Sequence, residues 1–200
     1  ILCLSYLCSM KKTEFSFIGD IASRFGSLPH HGFEPIGDDC TTVECGADQV
    51  MVMTTDMLVE DVHFLRSAST AEEVGMKSLA VNLSDVAAMG AQPIATMWSL
   101  ALPESAQGEW AEGFMRGYYK ASAEAGVALV GGDTTASMNG LVINISAVGF
   151  ARKEDVVYRA GAREHDLICI TSNLGAAYMG LHLLEREKRV LKGIDNPEPK

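Results

Sequence analysis

Aspartates fall where this chain changes direction. Asp38 and Asp39 follow Gly37 in a predicted turn, Asp56 closes an apolar run, Asp85 lies in the last turn of a predicted helix, and Asp133 follows Gly131-Gly132. Carboxylates at element ends can converge on one mouth of a sheet. Oxygen donors of this kind suit a hard divalent cation such as Mg²⁺, which takes one or two carboxylates and shares phosphate oxygens. Aspartate is also common in turns and caps, so none of these residues decides the matter alone. Asp85 is the hardest to explain that way. The carbonyl end of a helix disfavours an anion by roughly 0.3–1 kcal/mol, and its neighbours on the helix face, Asn82 and Met89, carry no positive charge. A bound metal would compensate; so would an arginine from elsewhere, or plain solvent exposure.

Other residue types could complete such a site. Thr54 and Thr55 set two hydroxyls beside Asp56, able to fill a coordination shell or hold its waters, although threonine is an ordinary strand residue too. Gly131-Gly132 lets the backbone approach a ligand closely and offers amide donors to phosphate oxygens. A turn explains the pair equally well, and no G-x-x-x-x-G-K-[ST] loop occurs. His63 is read on an extended Met57–Leu65 segment, facing away from Val62 and Phe64, as either a ligand contact or a surface histidine. Arg159 and Arg163 could grip terminal phosphates, or be solvated loop residues.

These side chains need elements to hold them. Gln49–Thr55 is apolar or β-branched throughout and predicts a buried strand ending at Asp56. Thr70-Ala-Glu-Glu73 is a capping-box pattern opening a helix through Val74, Leu79, Leu83 and Val86, with Gly90 stopping it and Pro93 beyond. Ile94–Ala101 predicts a second strand. A second amphipathic helix carries Trp110, Phe114, Tyr118, Ala121 and Ala125 on one stripe and ends at Gly126. Val127–Val130 reads as a short buried strand running into the Gly-Gly-Asp turn, and Leu141–Phe150 as a long one. Asp166–Thr171 predicts another strand and Leu174–Arg189 another helix, basic at its C-terminal end as the dipole prefers. Strands alternating with long helices make the class α/β or α+β.

The chain has 200 residues, 48% of them hydrophobic and 21% charged, with mean hydropathy +0.11, which suits a packed globular protein. Lys+Arg 16 against Asp+Glu 26 gives a net charge of −10. That excludes nucleic-acid and anionic-membrane surfaces, which need an excess of Lys and Arg. It also means that any bound phosphate needs cations between it and the carboxylates. Five cysteines with no C-x-x-C pair predict free thiols in a reducing cytoplasm. No apolar run has the length of a membrane span. The apolar Ile1–Ser9 precedes Met10-Lys11-Lys12, the wrong order for a secretory signal. It predicts a natural start at Met10, and the linker-like end at Asp195–Lys200 predicts a chain cut short. The polar, irregular Arg152–Arg163 stretch marks a domain boundary.

Together, Ile36-Gly37-Asp38-Asp39, TTDMLVEDVHF (Thr54 to Phe64), LAVNLSDVAAMGAQP (Leu79 to Pro93), LVGGDTT (Leu129 to Thr135) and RAGAREHD (Arg159 to Asp166) resemble the thiamine-monophosphate kinases, over about Phe15 to Arg189. The resemblance implies ATP-dependent phosphorylation of thiamine monophosphate to thiamine diphosphate, in a cytoplasmic, Mg²⁺-dependent homodimer. Its fold would be a mixed sheet with packed helices forming a dimerising N-terminal domain, followed by the start of a truncated second α/β domain. The corresponding divisions are an extension over 1–14, an ATP- and Mg²⁺-binding dimerisation domain over 15–151, and the truncated domain over 152–200. By motif, Asp39, Thr54, Thr55, Asp56, Asp85 and Asp133 match metal-binding positions, with Asp38 carrying less weight. Gly132, Asp133 and Arg159 match nucleotide-binding positions, and His63 a substrate-contacting one.

No covalent nucleophile is expected, because phosphoryl transfer asks for positioning and charge neutralisation. Asp61 stands where the family usually has glycine, and an extra carboxylate there would recharge the substrate side. The family's chains are about half again as long, which implies loss of part of the substrate site here. Two rival readings remain at this point. One is another ATP-using enzyme of the same superfamily, of aminoimidazole ribonucleotide synthetase or selenophosphate synthetase type. The other is a non-catalytic dimerisation or nucleotide-binding module.

Overall fold

The computed structural model describes residues 13–191; the predicted start at Met10, most of the expected 1–14 extension and the Asp195–Lys200 linker lie outside them. The elements are α1 (Glu14–Phe25), β1 (Thr41–Glu44), β2 (Gln49–Val59), α2 (Ala71–Ala88), β3 (Gln92–Leu102), α3 (Glu109–Ala125), β4 (Ala128–Ala136), β5 (Val142–Arg152) and α4 (Ala176–Leu191). Short 3₁₀ turns occupy Glu104–Ala106 and Lys153–Asp155. The strands form one sheet in the order β1-β2-β5-β3-β4. β3 and β4 run parallel across the α3 crossover, and the other pairs are antiparallel. The mixed sheet with packed helices is therefore present.

Burial alternates along the central strands as the pleat dictates. Ile143, Ile145 and Ala147 of β5, Val50, Val52 and Leu58 of β2, and Leu100 of β3 point into the core. There Leu79 and Val74 of α2 meet Phe114 and Tyr118 of α3, with Trp98 packed against them. The Tyr118 hydroxyl and Thr96 Oγ1, both buried, are 2.7 Å apart. A second cluster gathers Val50, Val52, Val86, Met89, Ala147 and Cys40 beneath the far end of α2.

The capping box opens α2 as expected: the Thr70 hydroxyl accepts from Glu73 N–H, and the Glu73 carboxylate accepts from Thr70 N–H at 2.7 Å. The two helices approach to backbone contact. A Cβ on Gly75 would lie 2.2 Å from the Phe114 carbonyl oxygen, and one on Gly117 would lie 2.0 Å from that of Glu72. The opposite face of the sheet presents Met51, Met53, Thr55 and Met57 of β2, Asn144 and Ser146 of β5, and Met97 and Ser99 of β3. Neither α2 nor α3 covers it, and Met57 and Met97 are about half exposed.

The structure corrects several expectations. Gly131-Gly132-Asp133 is not a turn: β4 continues through it along the sheet edge, and the strand expected to be buried over Val127–Val130 is exposed from Ala128 on, because an edge strand beyond the helices has nothing to cover it. Gly132 serves packing, since a Cβ on it would lie 2.2 Å from the Trp98 carbonyl oxygen and 2.4 Å from its ring. β2 does not end at Asp56 but runs to Val59, paired with β5 all along. Beyond it the chain turns, so the extended reading of Met57–Leu65 holds over Met57–Val59 and fails from Glu60 on. Asp61 takes a positive φ of 64°, its N–H donates to the Phe64 carbonyl at 2.9 Å, and His63 N–H donates back to Val59. Helix α1, capped by Thr13, went unread in the sequence although Phe15, Ile18, Ala22 and Phe25 recur at helical spacing; none of its residues is buried.

The chain divides into two compact units, 1–160 and 161–200. The polar stretch after Arg152 packs with the first: Val157 N–H donates to the Met89 carbonyl at 3.1 Å, and Val156 joins the second core cluster. The second unit carries α4, where Tyr178 and His182 meet edge to face at 4.4 Å. Asp166–Thr171, expected as a strand, is irregular. A strand needs a neighbouring backbone, and none is paired with it among the described residues; Leu167 and Ile168 are almost fully exposed.

Candidate metal and phosphate site

Alternation along β2 sorts the predicted ligands by face. Thr54 and Asp56 point toward α2, where the Thr54 hydroxyl donates to Asp85 Oδ2 at 2.8 Å. Asn82, fully buried one turn earlier, ties the strand to the helix: its Oδ1 accepts from Asp56 N–H at 3.1 Å, and its Nδ2 donates to the Ser78 carbonyl. A polar residue on the buried stripe of an amphipathic helix was the available signal for that role. The Asp38–Asp39 turn arrives at the same place, with Asp38 Oδ1 accepting from Asp39 N–H at 2.9 Å. Beneath it lies Cys40, whose burial, followed by the charges of Asp85, Asp39 and Asp38, pushes the thiol up to about 12. Asp56 is likewise held above the usual aspartate value, first by burial and then by Asp85, with His63 opposing.

Asp38, Asp39 and Asp85 therefore lie near one another around Cys40, and Asp56 lies near Asp85 alone. An arginine from elsewhere does compensate the first three: the Arg159 guanidinium lies on Asp39, and its backbone N–H donates to Asp38 Oδ2 at 2.9 Å. Asp39 first, then Asp38 and Asp85, hold that guanidinium's pKa above its ordinary value. The loop before β1 and the free edge of β2 beyond it leave an open cavity of about 620 Å³. Asp38, Asp39, Thr54 and Thr55 line one side of it, and Phe25, Leu28, Pro35 and Ile36 the other. Among the described residues no three His, Cys, Asp or Glu side chains close on a common point as ligands would. The donors are hard oxygens, as Mg²⁺ prefers, so the residue chemistry fits such an ion while the carboxylates stand apart around Arg159.

Asp133 is placed elsewhere, and Thr55, though it lines the cavity, turns its hydroxyl away from the acids. Thr55 faces the uncovered side of the sheet, where its hydroxyl meets Asn144 and Ser146 at 3.0 and 3.2 Å. Gly132 pairs with Trp98, whose ring packs among the helices, so Asp133, paired with Ser99, points to the uncovered side. It is also separated from Asp56 by β5 and β3. His63 is exposed at the turn after β2, its Nδ1 accepting from Val59 N–H at 3.0 Å and its carbonyl from Lys77 Nζ at 2.6 Å. Arg163 belongs to the second unit, where its N–H donates to Asp166 Oδ2 in a local turn.

The family described as AIR synthase related protein, N-terminal domain, matches residues 37–151, more than half the chain. The chain belongs to the AIR synthase related family. Within it, this member is 37% identical over 177 residues to the thiamine-monophosphate kinase of Buchnera aphidicola subsp. Acyrthosiphon pisum, covering 88% of this chain and 54% of the relative. Among solved structures it is similar to AaThiL complexed with AMPPCP and TMP, at 34% identity and TM-score 0.78, over 94% of this chain and 54% of that one. The thiamine monophosphate kinase of Aquifex aeolicus is similar at 32% identity and TM-score 0.73, over 96% and 57%. This AIR synthase related chain thus spans about half the length of the curated relatives it matches.

Proposed function

We propose that this chain carries the metal- and nucleotide-binding part of a thiamine-monophosphate kinase, which moves the γ-phosphate of ATP onto the phosphate of thiamine monophosphate. The observation that carries the reading is the meeting of Asp38 and Asp39 with Arg159 beside the Thr54–Asp85 hydrogen bond. Donor and acceptor are both anionic phosphates, so the chemistry is one of drawing like charges together. Asp39, Asp56 and Asp85, with Thr54 orienting Asp85, would hold Mg²⁺; when bound, it neutralises and aligns phosphate oxygens. Arg159 supplies fork-shaped donors to the nucleotide's phosphates. His63, with Nδ1 engaged by Val59, presents Nε2 outward to the acceptor.

Transfer is direct, with no phosphoenzyme. The uncovered sheet face, rich in methionine, is where two copies pair, and Thr55, Gly132 and Asp133 join the site in that assembly. The free thiols of Cys40, Cys45 and Cys169 support a cytoplasmic setting; among the described residues no helix is long and apolar enough to cross a membrane. The test, on a full-length protein carrying this chain, is conversion of ATP and thiamine monophosphate to thiamine diphosphate, with rapid-quench sampling of labelled ATP. Product without labelled protein is expected. Labelled protein ends the direct-transfer mechanism, and product from a different acceptor with none from thiamine monophosphate ends the substrate assignment.

A further inference from the structure

The turn after β2 is pinned at both ends. Glu60 Oε2 accepts from Leu141 N–H at 2.8 Å, and Arg66 Nη1 donates to Ser105 Oγ at 2.9 Å. Between them Phe64 is buried in the core, while Asp61, Val62 and His63 are exposed. His63 exchanges two bonds with Val59: its N–H donates to the Val59 carbonyl, and its Nδ1 accepts from Val59 N–H at 3.0 Å. A backbone N–H can only donate, so Nδ1 keeps its lone pair there and the ring hydrogen sits on Nε2. The carbonyl of the same residue accepts from Lys77 Nζ at 2.6 Å. Lys77 is exposed on α2, one turn after Glu73, an ordinary ion-pair partner at that spacing. Glu73 is held instead by Thr70 in the capping box, and Lys77 reaches across to the turn.

We propose that Lys77 is a positioning residue for the reaction: by holding the His63 carbonyl it keeps the imidazole in one orientation and one tautomer, with Nε2–H as a fixed donor to the acceptor's phosphate. This rests on reading His63 as a contact to the acceptor, and adds the group that sets the chemistry of that contact. The bonds between Val59 and His63 are exposed, and water competes for bonds of that kind. Lys77 adds a charge-assisted bond from a helix whose other face, at Val74 and Leu79, is fixed in the core. Without it the exposed middle of the turn loses its tie to α2, the Nδ1 bond opens, and the ring hydrogen can occupy either nitrogen. Only the Nε2–H form points a donor outward at a phosphate oxygen. That form has no lone pair at Nε2, so His63 binds the acceptor without taking a proton from it.

Imidazole nitrogens report their tautomer directly. Long-range ¹H–¹⁵N spectra of the ligand-free 200-residue chain are recorded in alkaline buffer, where imidazole is neutral, with His63 assigned by its loss in His63→Gln. The expected result is a single Nε2–H form in the native chain and in Lys77→Arg, and a mixture of tautomers in Lys77→Met. In a full-length protein carrying this chain, Lys77→Met should raise KM for thiamine monophosphate about fivefold. Its kcat and its KM for ATP should stay unchanged, as loss of a contact kept equally in ground and transition states gives, and Lys77→Arg should be near native. An unmoved tautomer in Lys77→Met overturns the positioning role, and a raised KM beside it would make Lys77 a direct ligand of the acceptor. A native KM in Lys77→Met, while His63→Gln raises it, also overturns that role and leaves the acceptor contact standing. A native KM in both variants overturns the acceptor contact itself, and the part of Lys77 in the reaction with it.

Discussion

Asp85 is the residue on which the site turns, because it joins strand to helix and acid to acid. Asp85→Asn keeps the shape and the Thr54 contact but removes the charge. Mg²⁺-dependent binding of an ATP analogue should weaken at least tenfold by calorimetry, with the melting temperature little changed; unaltered titration curves would remove Asp85 from the site. Asp56 makes the complementary case through pH. Its carboxyl is held above the ordinary value of 3.8, chiefly by burial and then by Asp85. The folded state therefore favours the protonated form, and stability falls as pH rises from that ordinary value through the raised one, then levels off. Asp56→Asn abolishes this fall. In metal-free buffer its melting curve should lie above that of the native protein at neutral pH and meet it in acid, and parallel curves would show that Asp56 bears no such penalty.

At the scale of elements, the α2–α3 contact positions both Asn82 and Asp85, and it depends on two missing side chains. Gly117→Ala drives a methyl into the Glu72 carbonyl, and overpacking of that kind costs about 2–3 kcal/mol. Urea unfolding should show the loss, and a midpoint within error of the native one would refute it. This contact also shows what could be read beforehand. The helix bounds were legible from the capping box at Thr70 and from Gly126, because caps are local chemistry written in adjacent residues. The glycines between the helices gave no warning, since only the opposing backbone explains them. The same holds for Gly132. Beside Asp133 it looked like a phosphate turn, but it is a strand residue making room for Trp98, a partner distant in sequence. Thr55 and Asp56 read as one ligand group because they are adjacent, although β alternation already assigned them opposite sides. Asp166–Thr171 had the composition of a strand, and composition says nothing about whether a neighbour is there to pair.

At the largest scale, the sheet of the first unit is lopsided: helices cover one of its faces, while the other offers methionines around the Thr55, Asn144 and Ser146 hydrogen bonds. If two copies pair there, Met53→Glu should shift the protein from dimer to monomer in analytical ultracentrifugation and leave the fold intact by circular dichroism. A dimer that survives the charge must pair through another surface. The organisation of β2 then has a heritable consequence. Its even-numbered residues serve the core and the acids and its odd-numbered ones the bare face, so a single codon inserted within 49–59 would transpose the two sets beyond it. Neither task can drift in length without the other, and this stretch should tolerate exchanges of residue type far better than any insertion or deletion.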